Sequence, residues 1–412
     1  ISETLENVEL STGEQINLDD VPLDDENIYA MMRQGRTLGV FQIESQGQMH
    51  LLAQHQPECF ADLITEVALF RPGPLQGGMV HPYVRRSRGL EEVVHLHPHL
   101  EELLGDTLGI ILFQEQVLEI AHRFAGMPLD EADDFRVLVS KNRDREAMEA
   151  MRERFINGAM ARGVTHADAN VVYEKVSHFV GYGFCRSHAA AFARIVYHSA
   201  WLKHYYPAAY LAAFMQHRPG FYNLMTLEEE ARRCGVQMLL PSISTSGLRY
   251  RVEQTNEGRL AIRKPLTSVS HCSTDVAQSI VWARAERPFV SVEDLYVRSG
   301  APYDALQGLA LSGALDEVSK NSRTALWELG VVARRHHRGN EAQQTLFDLP
   351  LVDAEDIPQL PPMKAQERLA YDYTSHGAAR VHPMTLYRRS LNDLEIRTIE
   401  TSFRLILDEH AR

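Results

Sequence analysis

Residues 111–126, ILFQEQVLEIAHRFAG, indicate the fold of the first half of the chain. Their apolar side chains include Val117, Ile120 and Phe124, which recur at roughly helical spacing, and the closing glycine is a typical helix stop. Similar stretches, separated by proline and glycine, continue from about residue 24 to residue 227. The pattern predicts a mainly α-helical region.

The second half of the chain predicts a smaller α+β region. Residues 241–262 alternate polar and apolar side chains around Asn256-Glu257-Gly258, which is typical of a short β-hairpin. Short helical patterns return between residues 276 and 335, and a polar, proline-rich linker follows them. The last forty or so residues show no clear pattern.

Composition limits the classes of protein that need to be considered. The chain has 412 residues, of which 44% are hydrophobic and 24% charged, so it is long enough for two or three globular domains. Its net charge of −13 means that any nucleic-acid contact must come from local basic patches. No apolar run has membrane-spanning length, and four scattered cysteines favour a reducing cytoplasm: Cys59, Cys185, Cys234 and Cys272.

Residues 180–194, VGYGFCRSHAAAFAR, form a candidate anion site. Ser187 is a suitable N-cap for a helix from His188 to about Tyr205, which Pro207 would end. The first turn of a helix has free N–H groups, and Arg186 and His188 add donors there, so a phosphate would fit. An ordinary capped helix with a solvated arginine is the alternative, and it stays open.

A second basic stretch lies at residues 132–155, ADDFRVLVSKNRDREAMEAMRERF. Arg136, Lys141 and Arg143 lie close together in it, and arginine with lysine suits a polyphosphate. Acidic residues interleave with them, so a salt-bridged helix face is an equally simple interpretation.

Three further motifs carry weaker signals. The histidines His95, His97 and His99 are interrupted by a proline and predict a solvated loop rather than a metal site. Arg71 begins a rigid Arg-Pro-Gly-Pro turn and could point into a site. The run QQTLF ends in an exposed Leu-Phe pair within a linker, which usually fills a partner's pocket.

Six stretches, taken in order along the chain, resemble the C-family bacterial replicative polymerases, the alpha subunit of DNA polymerase III. They are PLDDENIYAMM, GVFQIESQGQ, ALFRPGPLQGGMV, LGIILFQEQVLEIA, GYGFCRSHAAAFA and SAWLKHYYPAAYLAA. The resemblance covers roughly residues 20 to 350. HPYVRR, RTALWELG and the PPM…YDY…HPM tail are more similar to the error-prone, damage-tolerant branch.

The resemblance implies a domain organisation and a nucleotide site. It implies that a multi-helical fingers domain binds the incoming deoxynucleoside triphosphate, with Arg136 on the triphosphate and Lys141 and Arg143 nearby. Tyr182, Arg186, Ser187 and His188 match the family's nucleotide-side motif. The implied limits are 1–27 leading out of the palm, 28–225 fingers, 226–335 helix-hairpin-helix DNA-binding region, 336–362 linker, and 363–412 the start of a C-terminal domain or a tail.

The linker run also resembles the family's clamp-binding pentapeptide. On that resemblance Gln343, Leu346 and Phe347 would anchor the chain to a sliding clamp. The other implied partners are primer-template DNA and deoxynucleoside triphosphates, with no membrane, in the bacterial cytoplasm at the nucleoid.

Two departures from the family pattern weaken the expected phosphate contacts. Many members carry two consecutive arginines where this chain has Arg136-Val137. Ser268 and Ser270 stand at the glycine positions of the hairpin LTSVSHC, where glycines let backbone amides approach phosphates. These departures favour, modestly, a non-catalytic or degenerate paralogue that binds DNA or the clamp as an accessory protein.

The resemblance also implies metal chemistry that we expect outside this chain. The family transfers nucleotidyl groups with two metal ions held by three palm aspartates. These lie upstream of the matched region, so we expect no catalytic residue here, no metal held by this chain alone, and Mg²⁺ only in the complete polymerase. A fragment of a longer polymerase, a split subunit with a separate palm-bearing polypeptide and a degenerate paralogue all stay open.

Overall fold

The structure is a computed structural model that describes residues 1–71, 75, 78–141, 145–178, 184–220, 222–340, 360–381 and 383–394. These residues are mainly helical and include one small sheet, which confirms the predicted mainly α fold with a small α+β region. The chain divides into two compact units. The first unit is Asn17–Tyr205, and the second unit combines Ile1–Ile16 with Tyr206–Arg412. The domain limits given by the resemblance stay a prediction.

The helix α1 (Ser2–Thr12) belongs to the second unit, and ten helices follow it in the described part of the first unit. They are α2 (Glu26–Arg33), α3 (Gln46–His55), α4 (Phe60–Leu69), α5 (Val80–Ser87), α6 (Glu101–Leu104), α7 (Gln114–Glu119), α8 (Leu129–Lys141), α9 (Arg145–Ala161), α10 (His166–His178) and α11 (Arg186–Tyr205).

Two hydrophobic cores lie within the first unit. Helices α2, α4 and α11 enclose one of them, in which Tyr29 and Tyr197 are fully buried. The alanine-rich α11 fits there because its small residues and Val196 form one buried stripe at helical spacing. The other core holds Phe124, Phe135 and other side chains from α8, α9 and α10.

The stretch 111–126 is helical over only part of its predicted length. Its first three residues are not helical, α7 begins at Gln114, and a π-helical turn spans Ile120–Phe124. In that turn the N–H of Ala125 donates to the carbonyl of Ile120 at 3.2 Å, one residue further back than in an α-helix.

The second unit contains the predicted hairpin and the returning helices. Strand β1 (Gln237–Leu239) pairs in parallel with β3 (Leu260–Arg263), which pairs antiparallel with β2 (Arg251–Gln254). The turn between β2 and β3 contains Gly258 at φ +77°, which confirms the predicted hairpin. The helices of this unit after α1 are α12 (Pro207–His217), α13 (Leu224–Arg233), α14 (Thr274–Glu286), α15 (Val292–Ser299), α16 (Tyr303–Ser312), α17 (Ser322–Asn340), α18 (Ala365–His376), α19 (Pro383–Leu386) and α20 (Arg388–Asp393).

Candidate functional site

A short backbone bridge brings the candidate phosphate-binding segment beside α7. Phe113 and Phe184 form a parallel β-bridge, in which the Gln114 N–H donates to the Phe184 carbonyl at 3.0 Å. The Phe184 N–H donates back to the Leu112 carbonyl at 3.4 Å. The bridge places the N-terminus of α11 next to the N-terminus of α7, although the two helices are far apart in sequence.

A glutamate from α7 caps the N-terminus of α11. The Arg186 N–H lies 3.0 Å from both carboxylate oxygens of Glu115, and the Cys185 thiol lies 3.3 Å from Oε1. The helix begins at Arg186, and the Cys185 carbonyl accepts its first helical hydrogen bond, from Ala189 at 2.9 Å. The predicted N-cap at Ser187 is therefore wrong, because the acceptor comes from a residue distant in sequence.

Of the three arginines predicted for the nucleotide site, Arg136 and Arg186 have described side chains, and both lie beside the N-terminus of α7. The Arg186 guanidinium pairs with Asp106 at 3.0 Å and lies 5.5 Å from the centre of the Phe113 ring. Arg136 pairs with Asp133 at 2.8 Å and donates to Gln114 Oε1 at 3.2 Å. Because Gln114 directly precedes Glu115, the structure brings Arg136, Arg186 and the first turn of α11 to one place.

Aromatic rings surround His188. Its ring lies 5.0 Å from Phe184 and 4.4 Å from Phe192, measured between ring centres. The guanidinium of Arg71 lies 3.5 Å from the centre of the Phe184 ring, and burial lowers the pKa of this arginine. Arg71 therefore belongs to the same neighbourhood as the two arginines of the site.

Several predicted site residues lie outside the described part of the chain. Lys141 ends α8, but its side chain is not described, and the same holds for the whole of Arg143 and Tyr182. The predicted clamp-binding residues Gln343, Leu346 and Phe347 also lie outside the described residues. Their roles stay predictions.

The segment LTSVSHC, residues 266–272, which the resemblance assigns to the hairpin of the helix-hairpin-helix motif and which follows the β2–β3 hairpin, contacts helix α18. The Ser270 N–H donates to the Ser375 carbonyl at 2.6 Å, and the Ser270 hydroxyl donates to the Thr374 carbonyl at 2.9 Å. The Ser268 hydroxyl donates to the nearby Pro265 carbonyl at 2.7 Å. The Ser270 amide, which the resemblance would direct at a phosphate, therefore already has a protein partner.

A cluster of buried charged groups lies where the end of α18 meets Lys264. Lys264 Nζ lies 2.7 Å from Glu228 Oε1 and 3.3 Å from His376 Nδ1, and burial lowers the pKa of this lysine although Glu228 opposes the shift. Arg380 pairs with Asp372 at 3.0 Å. Burial disfavours the charged form of Asp372, but its bonds to His376 and Arg380 outweigh burial and keep its pKa below 3.8.

The resemblance implies metal ions held by palm aspartates outside this chain, and the described residues offer no metal site of their own. Within the described ranges no group of three or more His, Cys, Asp or Glu side chains could hold a metal ion. The carboxylates at the candidate site, Asp106, Glu115 and Asp133, each bind an arginine group. No described helix is long and apolar enough to cross a membrane.

Sequence reasoning missed the acidic partners of this site. Glu115 and Asp106 meet Arg186, and Gln114 meets Arg136, but none of them was a candidate. In the sequence, Gln114 and Glu115 look like the ordinary polar first turn of a helix. They become partners of Arg136 and Arg186 only because the bridge at Phe113 brings α11 next to α7.

Comparison with known proteins defines the class of this chain. Residues 1–163 match the family model described as "Bacterial DNA polymerase III alpha subunit finger domain". Residues 235–325 match the model described as "Helix-hairpin-helix motif". A fingers module followed by a helix-hairpin-helix module is the arrangement that the resemblance predicted.

Several curated relatives carry the name "Error-prone DNA polymerase". The chain is 38% identical to the protein of Corynebacterium diphtheriae over 98% of its own length and 37% of that relative. It is 38% identical to the protein of Anaeromyxobacter dehalogenans over 93% of the chain and 34% of the relative. For Bordetella bronchiseptica the identity is 37%, over 92% and 36%.

These matches confirm the predicted resemblance to the bacterial DNA polymerase III alpha family and to its error-prone branch. The chain spans little more than a third of the length of these relatives, 37% in the first case.

Proposed function

We propose that this chain supplies incoming-nucleotide and DNA binding to an error-prone DNA polymerase. The match to the fingers-domain model supports the polymerase role, and the relatives named error-prone DNA polymerase support the branch. The observation that carries the nucleotide part is the bridge between Phe113 and Phe184, which gathers Arg136 and Arg186 at the N-terminus of α11.

In this proposal the triphosphate of a deoxynucleoside triphosphate lies along Arg136, Arg186 and the first turn of α11. Guanidinium groups bind phosphate oxygens through charge-assisted hydrogen bonds, and the helix N-terminus adds backbone donors. His188, whose ring packs against two phenylalanines, would contact the sugar or the phosphates. Lys141, Arg143, Tyr182 and Ser187 complete the proposed set.

The second unit would bind DNA through its helix-hairpin-helix region, and residues 343–347 would bind a sliding clamp. The match over residues 235–325 supports the DNA part. A short peptide that binds a clamp raises the effective concentration of the polymerase on DNA and so supports processive synthesis. Bond formation itself would need Mg²⁺ and the palm aspartates, which we propose are supplied by a longer or separate polypeptide.

Nucleotide binding tests the proposal directly. With a fluorescent deoxynucleoside triphosphate and Mg²⁺, Arg136→Ala and His188→Ala should each weaken binding by about tenfold, because each change removes a contact worth about 1–2 kcal/mol. Arg194→Ala is the matched control, since Arg194 lies on α11 but pairs with Asp19 at 2.9 Å. Equal affinity in the two test variants and the control would reject the proposed nucleotide site.

An accessory role without catalysis is the second candidate. The hydrogen bond between the Ser270 N–H and the Ser375 carbonyl favours it, because a committed amide cannot also bind a DNA phosphate. The discriminating measurement is primer extension after a palm-bearing portion of a relative is joined or added. Extension that depends on Arg136 supports the polymerase role, whereas DNA binding with no extension supports the accessory role.

A further inference from the structure

The proposed triphosphate site contains protein carboxylates at the positions where phosphates would bind. Glu115 presents both oxygens to the Arg186 N–H at 3.0 Å, which is the backbone donor that the helix offers to an anion. A carboxylate and a phosphate use the same kind of oxygen acceptor there. The two groups therefore compete for one position.

The arginines of the site are matched in the same way. Asp106 pairs with the Arg186 guanidinium at 3.0 Å, and Asp133 pairs with Arg136 at 2.8 Å. Two guanidinium groups and one helix N-terminus thus face three carboxylates. A triphosphate that enters this site meets like charges at short range unless a carboxylate leaves.

Glu115 is the carboxylate that must leave before a phosphate can reach the Arg186 N–H. It is exposed and stands at the second position of the six-residue helix α7, so rotation of its side chain reaches solvent without a change of backbone. Asp133 is different, because it is paired with Arg136 three residues further along the same helix and can stay paired.

We infer that Glu115 occupies the phosphate position in the nucleotide-free protein and sets the nucleotide affinity by competing with the triphosphate. This inference rests on the proposed function, because it assumes that the triphosphate binds at α11. Nucleotide binding then exchanges one anion for another at the Arg186 N–H. Once Glu115 has left, the Arg186 N–H and the two guanidinium groups offer several donors, so a triphosphate, which has more phosphate oxygens, should bind more tightly than a diphosphate or a monophosphate.

The test compares two isosteric variants of the full chain. Glu115→Gln keeps a neutral oxygen acceptor but removes the charge, so the affinity for a fluorescent deoxyadenosine triphosphate should rise by about tenfold. Glu119→Gln is the control, since it removes the same charge one turn further along α7. Glu115→Ala, which also removes the acceptor, should raise the affinity too, and circular dichroism should show that all three variants keep their helices.

The outcomes separate the inference from the proposed function. If Arg136→Ala and Arg186→Ala weaken binding but Glu115→Gln leaves it unchanged or weaker, the competition is overturned and the nucleotide site stands. An equal gain in Glu115→Gln and Glu119→Gln also overturns it, because the effect is then one of overall charge. If the arginine variants leave the affinity unchanged, the proposed function fails and the inference fails with it.

Discussion

Two backbone amides of this chain lie in segments for which the sequence raises the question of phosphate contacts, and both have protein partners, of very different kinds. The Arg186 N–H in the first unit donates to the side chain of an exposed glutamate. The Ser270 N–H in the second unit donates to a backbone carbonyl, that of the buried Ser375. A side chain leaves by bond rotation, whereas a backbone carbonyl leaves only if its helix moves. A ligand can therefore replace the partner of the first amide, whereas the hydrogen bond of the second amide is part of the packing between two backbone segments.

The largest expected effect lies at the buried ion pair of Lys264 and Glu228, which is next to His376 of α18. Lys264→Ala removes the close partner of buried Glu228 and leaves it with Arg232 at 3.8 Å, and loss of one member of a buried ion pair costs about 3–5 kcal/mol. Urea unfolding followed by circular dichroism should show that loss for the second unit.

The double variant Lys264→Met with Glu228→Leu should recover most of this stability, because it removes both charges together. Arg259→Ala is the surface control, since Arg259 pairs with Glu257 while 81% of its side chain is exposed. A loss below about 1 kcal/mol in Lys264→Ala would show that this buried ion pair contributes little to the stability of the second unit.

The next effect tests how tightly the segment LTSVSHC, residues 266–272, packs against α16. A Cβ at position 308 would lie 2.7 Å from the Ser270 carbonyl oxygen, so Gly308→Ala should push α16 away from this segment and cost about 1–3 kcal/mol. Gly330→Ala is the matched control, because a Cβ there meets no atom within 4 Å and α17 should gain up to about 1 kcal/mol. Two equal results, measured by thermal unfolding, would show that the segment can adjust.

A smaller effect depends on pH. The pKa of Asp372 lies below 3.8 in the folded protein, so its charge contributes stability above that pH, and the contribution disappears as the pH falls through the folded pKa. Asp372→Asn should therefore be about 1–2 kcal/mol less stable than the unmodified chain at pH 6, with the gap closing as the pH falls through the lowered pKa of Asp372. A gap that stays constant across this range would contradict the assignment.

The smallest effect concerns the Arg186 N–H and its partner Glu115. Glu115→Ala removes an anion from the N-terminus of α11, and such contacts are worth about 0.5–1 kcal/mol at exposed positions. Chemical unfolding of the first unit should show a loss of that size. A loss above about 2 kcal/mol would make Glu115 a structural cap and would weaken the comparison between the two amides.

Local patterns account for the parts of the fold that sequence predicted well. The helix expected from His188 to Tyr205 spans Arg186–Tyr205, and the expected hairpin spans β2 and β3. The interleaved charges of residues 132–155 do form some of the ion pairs of the alternative interpretation, such as Arg152 with Glu149 at 3.0 Å.

Contacts between distant residues account for what sequence could not predict. Ser187 is not the N-cap because Glu115, 71 residues from Arg186, supplies the acceptor. The serines of the segment LTSVSHC predicted weaker phosphate binding. The sequence did not predict the partner of Ser270, because Ser375 lies in the last part of the chain, which showed no clear pattern. The local sequence around each amide therefore gives no sign of its partner, Glu115 for Arg186 and Ser375 for Ser270.

The bridge between Phe113 and Phe184 also bears on the order of folding. Two backbone hydrogen bonds join segments about seventy residues apart, so the ends of a long loop must meet before α7 and α11 become neighbours. Contacts of such high sequence separation form late when local helices form first. The helices of the first unit can thus form before the proposed nucleotide site, and a chain slowed at loop closure would be helical but would not yet bring Arg136 and Arg186 together.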